Sequence, residues 1–164
     1  MREKFSFSGI NPKIVLIKKE SETRTHIVLK LLAYLMFGGK LSVEKKVKSK
    51  YKPDLVFEDE KKGIWVECGA VSEKKLLHLK KHSDRFDFYF FKKDIEEGKN
   101  FSDVLKKFSF NAIVYAFEKN FVKKISENLY RNNSLKYKID REFKIEINGI
   151  KIKSKIYTNA LNAI

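Results

Sequence analysis

Apolar and polar residues alternate over 3–8 and again over 13–18 around Asn11-Pro12, a turn signal, and this predicts an opening β-hairpin. A helix follows: Ser21 is a good N-cap, and Ile27, Val28, Leu31, Leu32, Leu35 and Met36 recur at helical spacing until Gly38-Gly39 stops the pattern. Leu41 to Val47 alternates as a strand. Leu55-Val56-Phe57 and Ile64-Trp65-Val66 then form two short strands joined by a polar loop over 58–63, a second hairpin. Ser72 caps a helix carrying Leu76, Leu77 and Leu79, and Phe86 to Phe91 is a nearly continuous apolar run, as expected of a central strand covered on both faces. Residues 94–108 predict a loosely amphipathic helix, Ala112 to Phe117 another buried strand, and 118–131 a helix bearing Phe121, Val122, Ile125 and Leu129. The tail, 134–157, alternates Leu, Tyr, Ile and Phe with Lys and turns at Asn148-Gly149, the pattern of an antiparallel hairpin or meander.

Strand-helix alternation followed by a β-rich flank predicts a mixed α/β (α+β) fold with helices flanking a central mixed sheet. The 164 residues suffice for one sizeable core, and no repeat or Pro/Gly-rich linker divides them, so residues 1–164 read as a single domain.

Charge adds a partner class. Thirty-six Lys and Arg against 21 Asp and Glu leave +15, which favours phosphate-bearing polymers, DNA or RNA, although a Lys-rich usage bias would produce the same excess. Lys45, Lys46, Lys48, Lys50 and Lys52, with Lys40 before them, lead directly into Asp54, and Lys151, Lys153 and Lys155 fall on one face of a tail strand. The alternative for either run is a solvated strand edge blunted by lysine. No stretch reaches the ~18 apolar residues of a spanning helix and no apolar leader follows Met1, so the expectation is a cytoplasmic protein without a membrane partner; nothing identifies a protein partner. The single cysteine, Cys68, agrees with a reducing compartment. His26, His78 and His82 are too scattered for a zinc signature, and His78 and His82 read as solvated.

Two segments carry the candidate chemistry: Pro53-Asp54-Leu55 and, thirteen positions on, Trp65-Val66-Glu67-Cys68-Gly69. One acid opens a strand and the other closes its antiparallel neighbour, so the two can converge on one ion. Mg²⁺, or Mn²⁺ in its place, is held in this way by one or two carboxylates, waters and substrate phosphate. Either acid alone would be an ordinary solvated feature. The apolar run Ile64-Trp65-Val66 argues otherwise, because it delivers Glu67 into surroundings where an unpaired carboxylate is costly.

These residues resemble the YaeQ family of the PD-(D/E)XK, restriction-endonuclease-like nuclease superfamily. Ser21-Glu22-Thr23 and Leu31-Leu32-Ala33-Tyr34-Leu35 are similar to the family's Ser-Glu-Thr and Leu-Leu-Ala-aromatic segments, Pro53-Asp54-Leu55 and Trp65-Val66-Glu67-Cys68-Gly69 to its Pro-Asp-Leu and Trp-Ile-Glu-x-Gly segments, and Glu73-Lys74-Lys75 to an acid followed by two basic residues. The resemblance spans nearly the whole chain and implies a metal-dependent nuclease. It assigns Asp54 and Glu67 to the metal and suggests Glu22 as a further ligand, the alternative for Glu22 being a first-turn acid that favours the helix dipole; the Cys68 carbonyl, next along the strand from Glu67, could add another ligand. Gly69 stands where the superfamily usually has its water-activating lysine, and the resemblance moves that role to Lys74 or Lys75. Both lie ~120–140° around the helix from the Leu stripe, so periodicity leaves the choice open, while Lys80 lies nearer the stripe and can snorkel. The missing lysine equally suits a non-catalytic nucleic-acid-binding adaptor on the same scaffold. The Cys68 side chain itself reads as a small buried thiol.

Overall fold

Residues 2–160, which the computed structural model describes, form the opening hairpin β1 (Glu3–Ser8) and β2 (Ile14–Lys18), helix α1 (Arg24–Met36), and the strands β3 (Ser42–Val43), β4 (Leu55–Phe57) and β5 (Gly63–Cys68). They continue as α2 (Glu73–Lys80), β6 (Phe86–Lys92), α3 (Ile95–Lys107), β7 (Ile113–Phe117), α4 (Phe121–Glu127), and the tail strands β8 (Asn132–Ile139), β9 (Glu142–Ile147) and β10 (Ile150–Thr158). All ten strands join one mixed sheet in the order β2-β1-β8-β9-β10-β7-β6-β5-β4-β3. The pairs β5/β6, β6/β7 and β1/β8 are parallel, and the others are antiparallel.

Alternation along the strands sorts the core into two layers. Val66 and Cys68 of β5 and Phe91 of β6 face α1 and α4, whereas Trp65, Phe88 and Phe90 face Leu76 and Leu79 of α2 and Phe101 and Leu105 of α3. Helix α1 packs against β2 at one end of the strand order and against β4, β5 and β6 towards the other. The sheet therefore curls around α1 and comes close to closing as a barrel. That curl explains why every residue from Ile27 to Leu35 is buried, when periodicity predicts only a stripe.

Both hairpins, the central strand and the α2 cap at Ser72 form where predicted. Four expectations change. The α1 cap is Thr23, whose hydroxyl accepts the His26 N–H at 3.1 Å, not Ser21. The strand predicted over Leu41–Val47 shrinks to Ser42–Val43, because Glu44 adopts φ 55° and turns the chain away so that Val47 joins the α2 side of the core. The 118–131 helix covers only Phe121–Glu127, since Asn120 at φ 73° starts it late and Asn128 caps it. The tail, finally, is no separate flank. Strand β8 pairs with β1, and β10 with β7, so the meander bridges the N-terminal hairpin to the central strands. Asn148 and Gly149, with φ 51° and 84°, form the tight turn between β9 and β10 as predicted.

Candidate functional site

A cleft of about 800 Å³ opens where the parallel strands β5 and β6 end, between the first turn of α1 on one side of the sheet and α2 and α3 on the other. The carboxyl ends of parallel strands are the usual ligand position in α/β sheets. Asp54 and Glu67 both line this cleft, as do Glu22, His26, Lys75 and Lys92.

Each carboxylate is held by its own set of donors. The Asp54 amide donates to the Val66 carbonyl at 3.1 Å, which seats the residue beside β5. Its Oδ2 accepts the Cys68 N–H at 2.8 Å and lies 3.3 Å from His26 Nε2. Its Oδ1 is 3.9 Å from Lys30 Nζ, beyond hydrogen-bonding reach. Glu67 is 3% exposed, accepts the Trp65 indole N–H at 2.9 Å and pairs with Lys75 Nζ at 2.8 Å. Burial first, and then the charge of Asp54, push its carboxyl up to about 6 against the pull of Lys75 and Trp65.

This shift fixes a pH dependence. A raised carboxyl binds more protons folded than unfolded, so its contribution favours the fold at low pH and is lost as pH rises from about 4.5 to 6. At ~1.4 kcal/mol per pH unit, the unfolding free energy of the metal-free protein relative to Glu67→Gln should fall by about 2 kcal/mol between pH 4.5 and 7. Urea denaturation of the two proteins at both pH values measures it. A difference independent of pH would place Glu67 in a far more solvated setting.

Behind Asp54 lies a charge network. His26 Nδ1 is 2.6 Å from Glu22 Oε2, so the imidazole stands between Glu22 and Asp54. Lys30, 1% exposed, pairs with Glu22 at 2.8 Å and with Glu44, which also takes Lys52 at 2.9 Å. Burial alone would lower His26 and Lys30, but the hydrogen bond and charge of Asp54 raise His26, and the bonds to Glu22 and Glu44 raise Lys30. Burial opposes ionisation of Glu44 too, yet Lys30 and Lys52 bring its carboxyl down to about 2.

The candidate residues thus divide. Asp54, Glu67 and Lys75 meet in the cleft; Lys74 is exposed and does not line it. Glu22 lines the cleft, but Lys30 and His26 occupy its carboxylate. The Cys68 amide serves Asp54, and its thiol is buried and pushed well up by desolvation. Of the basic run, Lys52 joins the network and Lys45 pairs with Glu58 at 3.2 Å, while Lys46, Lys48 and Lys50 are exposed and do not line the cleft.

Sequence reasoning missed His26, Lys30 and Lys92. His26 stands one helical turn from Glu22, and Lys30 interrupts an apolar stripe at an inward position; both signals were present. Lys92 follows the apolar run of β6 without any local signal. Glu67 pairs with Phe90 and Cys68 with Phe91, so the parallel register sets Lys92 beside Gly69, and its Nζ donates to the Gly69 carbonyl. Lys92 also stands 4.0 Å over the Phe101 ring, and burial lowers it to about 8.

A family model described as YaeQ protein matches residues 11–155. Among solved structures, the YaeQ protein from Pseudomonas syringae is similar with a TM-score of 0.74 at 13% identity, over 98% of this chain and 96% of that one. The YaeQ protein from Xanthomonas axonopodis pv. citri gives 0.73 at 14% identity, over 96% and 97%. No curated protein matches the sequence. No helix among the described residues is long and apolar enough to cross a membrane.

Proposed function

The chain belongs to the YaeQ family, and on that premise we propose that its cleft is a metal-dependent phosphodiesterase site of the PD-(D/E)XK type, acting on nucleic acid with Mg²⁺ or Mn²⁺ held by Asp54 and Glu67. The observation that carries this reading is that the two acids and Lys75 share one cleft, with the Glu67 carboxyl pushed up to about 6 by burial and by Asp54.

The donors fit a hard cation. Two carboxylates whose charges oppose each other in a buried setting gain when a divalent ion enters. Asp54 Oδ1 stands 3.9 Å from Lys30 Nζ, outside hydrogen-bonding reach, and the second lone pair of each Glu67 oxygen remains for a further partner. No three His, Cys, Asp or Glu side chains gather into a ready-made cage among the described residues, so main chain, water and substrate would complete the shell, as is usual for Mg²⁺. When bound, the cation would polarise the scissile phosphate and make a bound water more acidic.

The chain's own residues do the rest. Trp65 and Lys75 fix one carboxylate, and Cys68 N–H and His26 fix the other, so neither has to reorganise. Lys75, still 23% exposed, reaches from Glu67 into the cleft and can orient the attacking water, the role left open by Gly69. Lys92, anchored on the Gly69 carbonyl, adds positive charge at the same strand ends for a phosphate oxygen.

The test is incubation with single-stranded, duplex and branched DNA and RNA in Mg²⁺ or Mn²⁺. Cleavage is expected in at least one case, with Lys75→Ala lowering turnover by ~10²-fold or more, the scale of a group that acts on the reacting proton, and Lys74→Ala leaving it near wild type. Binding without cleavage across the panel would pass the protein to the adaptor reading, which Gly69 at the usual lysine position favours.

A further inference from the structure

The tail strands present a surface that belongs to neither the cleft nor the basic run before Asp54. Antiparallel register sets Lys138 opposite Lys144 and Lys144 opposite Lys153, so three lysines stand abreast on β8, β9 and β10. The neighbouring row on the same face is Lys136, Glu146 and Lys151. All five lysines are exposed, and the only acid in the two rows lies 4.0 Å from Lys136. The other face of these strands is anchored, with Leu135, Phe143, Ile145 and Ile147 buried in the main core.

Like charges directly opposite each other weaken a sheet, and here two such pairs adjoin. An external anion relieves that repulsion. We propose that this face is a docking platform for the phosphodiester backbone of duplex nucleic acid, separate from the cleft.

Three features choose the duplex. Strand spacing of ~4.8 Å and ~6.7 Å between alternate residues spread the ammonium groups as a fixed grid, suited to a polymer that carries one charge per ~1.7 Å of its axis. The six side chains, with Tyr137, Ile145 and Ile152 between them, line a depression of about 680 Å³, a concave seat that suits a cylinder better than a planar bilayer. Single strands are usually gripped by stacked aromatic rings, and the aromatic residue lining this depression, Tyr137, has its ring engaged with that of buried Phe143 at 6.4 Å. The lysine run before Asp54 offers less, since Lys45 and Lys52 are already paired. The platform stands whether or not the cleft hydrolyses its substrate.

The experiment is fluorescence anisotropy of the full chain with a 20-bp duplex in EDTA between 50 and 200 mM salt. Wild type, K138Q/K144Q/K153Q and a charge-matched control, K61Q/K81Q/K106Q, drawn from exposed lysines of other faces, are compared. The platform triple should flatten the slope of log affinity against log salt by about 2.7 and cost at least about tenfold in affinity at 100 mM, with the control close to wild type. Equal losses in both triples would show diffuse charge, and unchanged binding would show another site; either overturns the proposal. So would a wild type that ignores the duplex and binds phosphatidylserine vesicles through the same lysines. Because EDTA suspends any metal chemistry, the result is independent of whether Glu67 supports cleavage.

Discussion

Glu67→Ala is expected to reduce metal-dependent cleavage by about 10³-fold or more while leaving duplex affinity in EDTA within about twofold of wild type. The first figure follows from the several kcal/mol that a bound cation contributes to a phosphoryl transition state, at ~1.4 kcal/mol per tenfold. The second follows from position: Glu67 is 3% exposed at the foot of the cleft, and the lysines proposed to dock the duplex lie on the tail strands β8, β9 and β10. The substitution leaves the Trp65 indole N–H without its acceptor, at a cost of ~1–3 kcal/mol, and also removes a carboxylate that ionises against its surroundings. Near-wild-type circular dichroism should therefore accompany the loss. Retained cleavage would separate the reaction from this acid and end the phosphodiesterase reading; loss of cleavage and binding together would mean that Glu67 also organises the surface.

The second large effect concerns stability. Lys30→Met should destabilise the protein by ~3–5 kcal/mol at pH 7, measured by urea denaturation, because it leaves Glu22 and Glu44 facing one another around a buried position that has lost its cation. Glu44→Gln in the same background should recover part of the loss, which a packing defect alone would not allow. The pH dependence gives an independent check. The Glu44 carboxyl is held at about 2 against an ordinary 4.5, so its contribution is present above pH 4.5 and lost as pH falls towards 2. In Lys30→Met the part of that contribution that Lys30 supplies is already gone, leaving the part from Lys52, and the two stability curves should converge in acid. Parallel curves would show that Lys30 is not what holds Glu44 ionised.

What was legible in the chain follows the range of the forces involved. The β4/β5 hairpin and its two acids were readable because period-two alternation and a Pro turn are local, and the same holds for the Ser72 cap and the Asn148-Gly149 turn. The choice between Lys74 and Lys75 was not, since both lie at similar angles from the apolar stripe; only the docking of α2 on Trp65 and Phe88 aims Lys75 at Glu67. Lys92 comes beside Gly69 through the parallel register across a helical crossover, a relation between residues 23 apart. The burial of α1 on all sides was equally hidden, because it depends on strands from opposite ends of the strand order, β2 on one side and β4, β5 and β6 on the other.

The pairing of the opening hairpin with the tail has a temporal side. Strand β1 pairs in parallel with β8, with Ser6 against Asn132, a separation of 126 residues. A nascent chain therefore holds its first hairpin with one edge waiting until the tail is made, for ~6–25 s at 5–20 residues per second. Late, long-range closure of this kind places the protein among slow folders whatever its final stability, and makes the unpaired edge of β1 the point where premature association with another chain would begin.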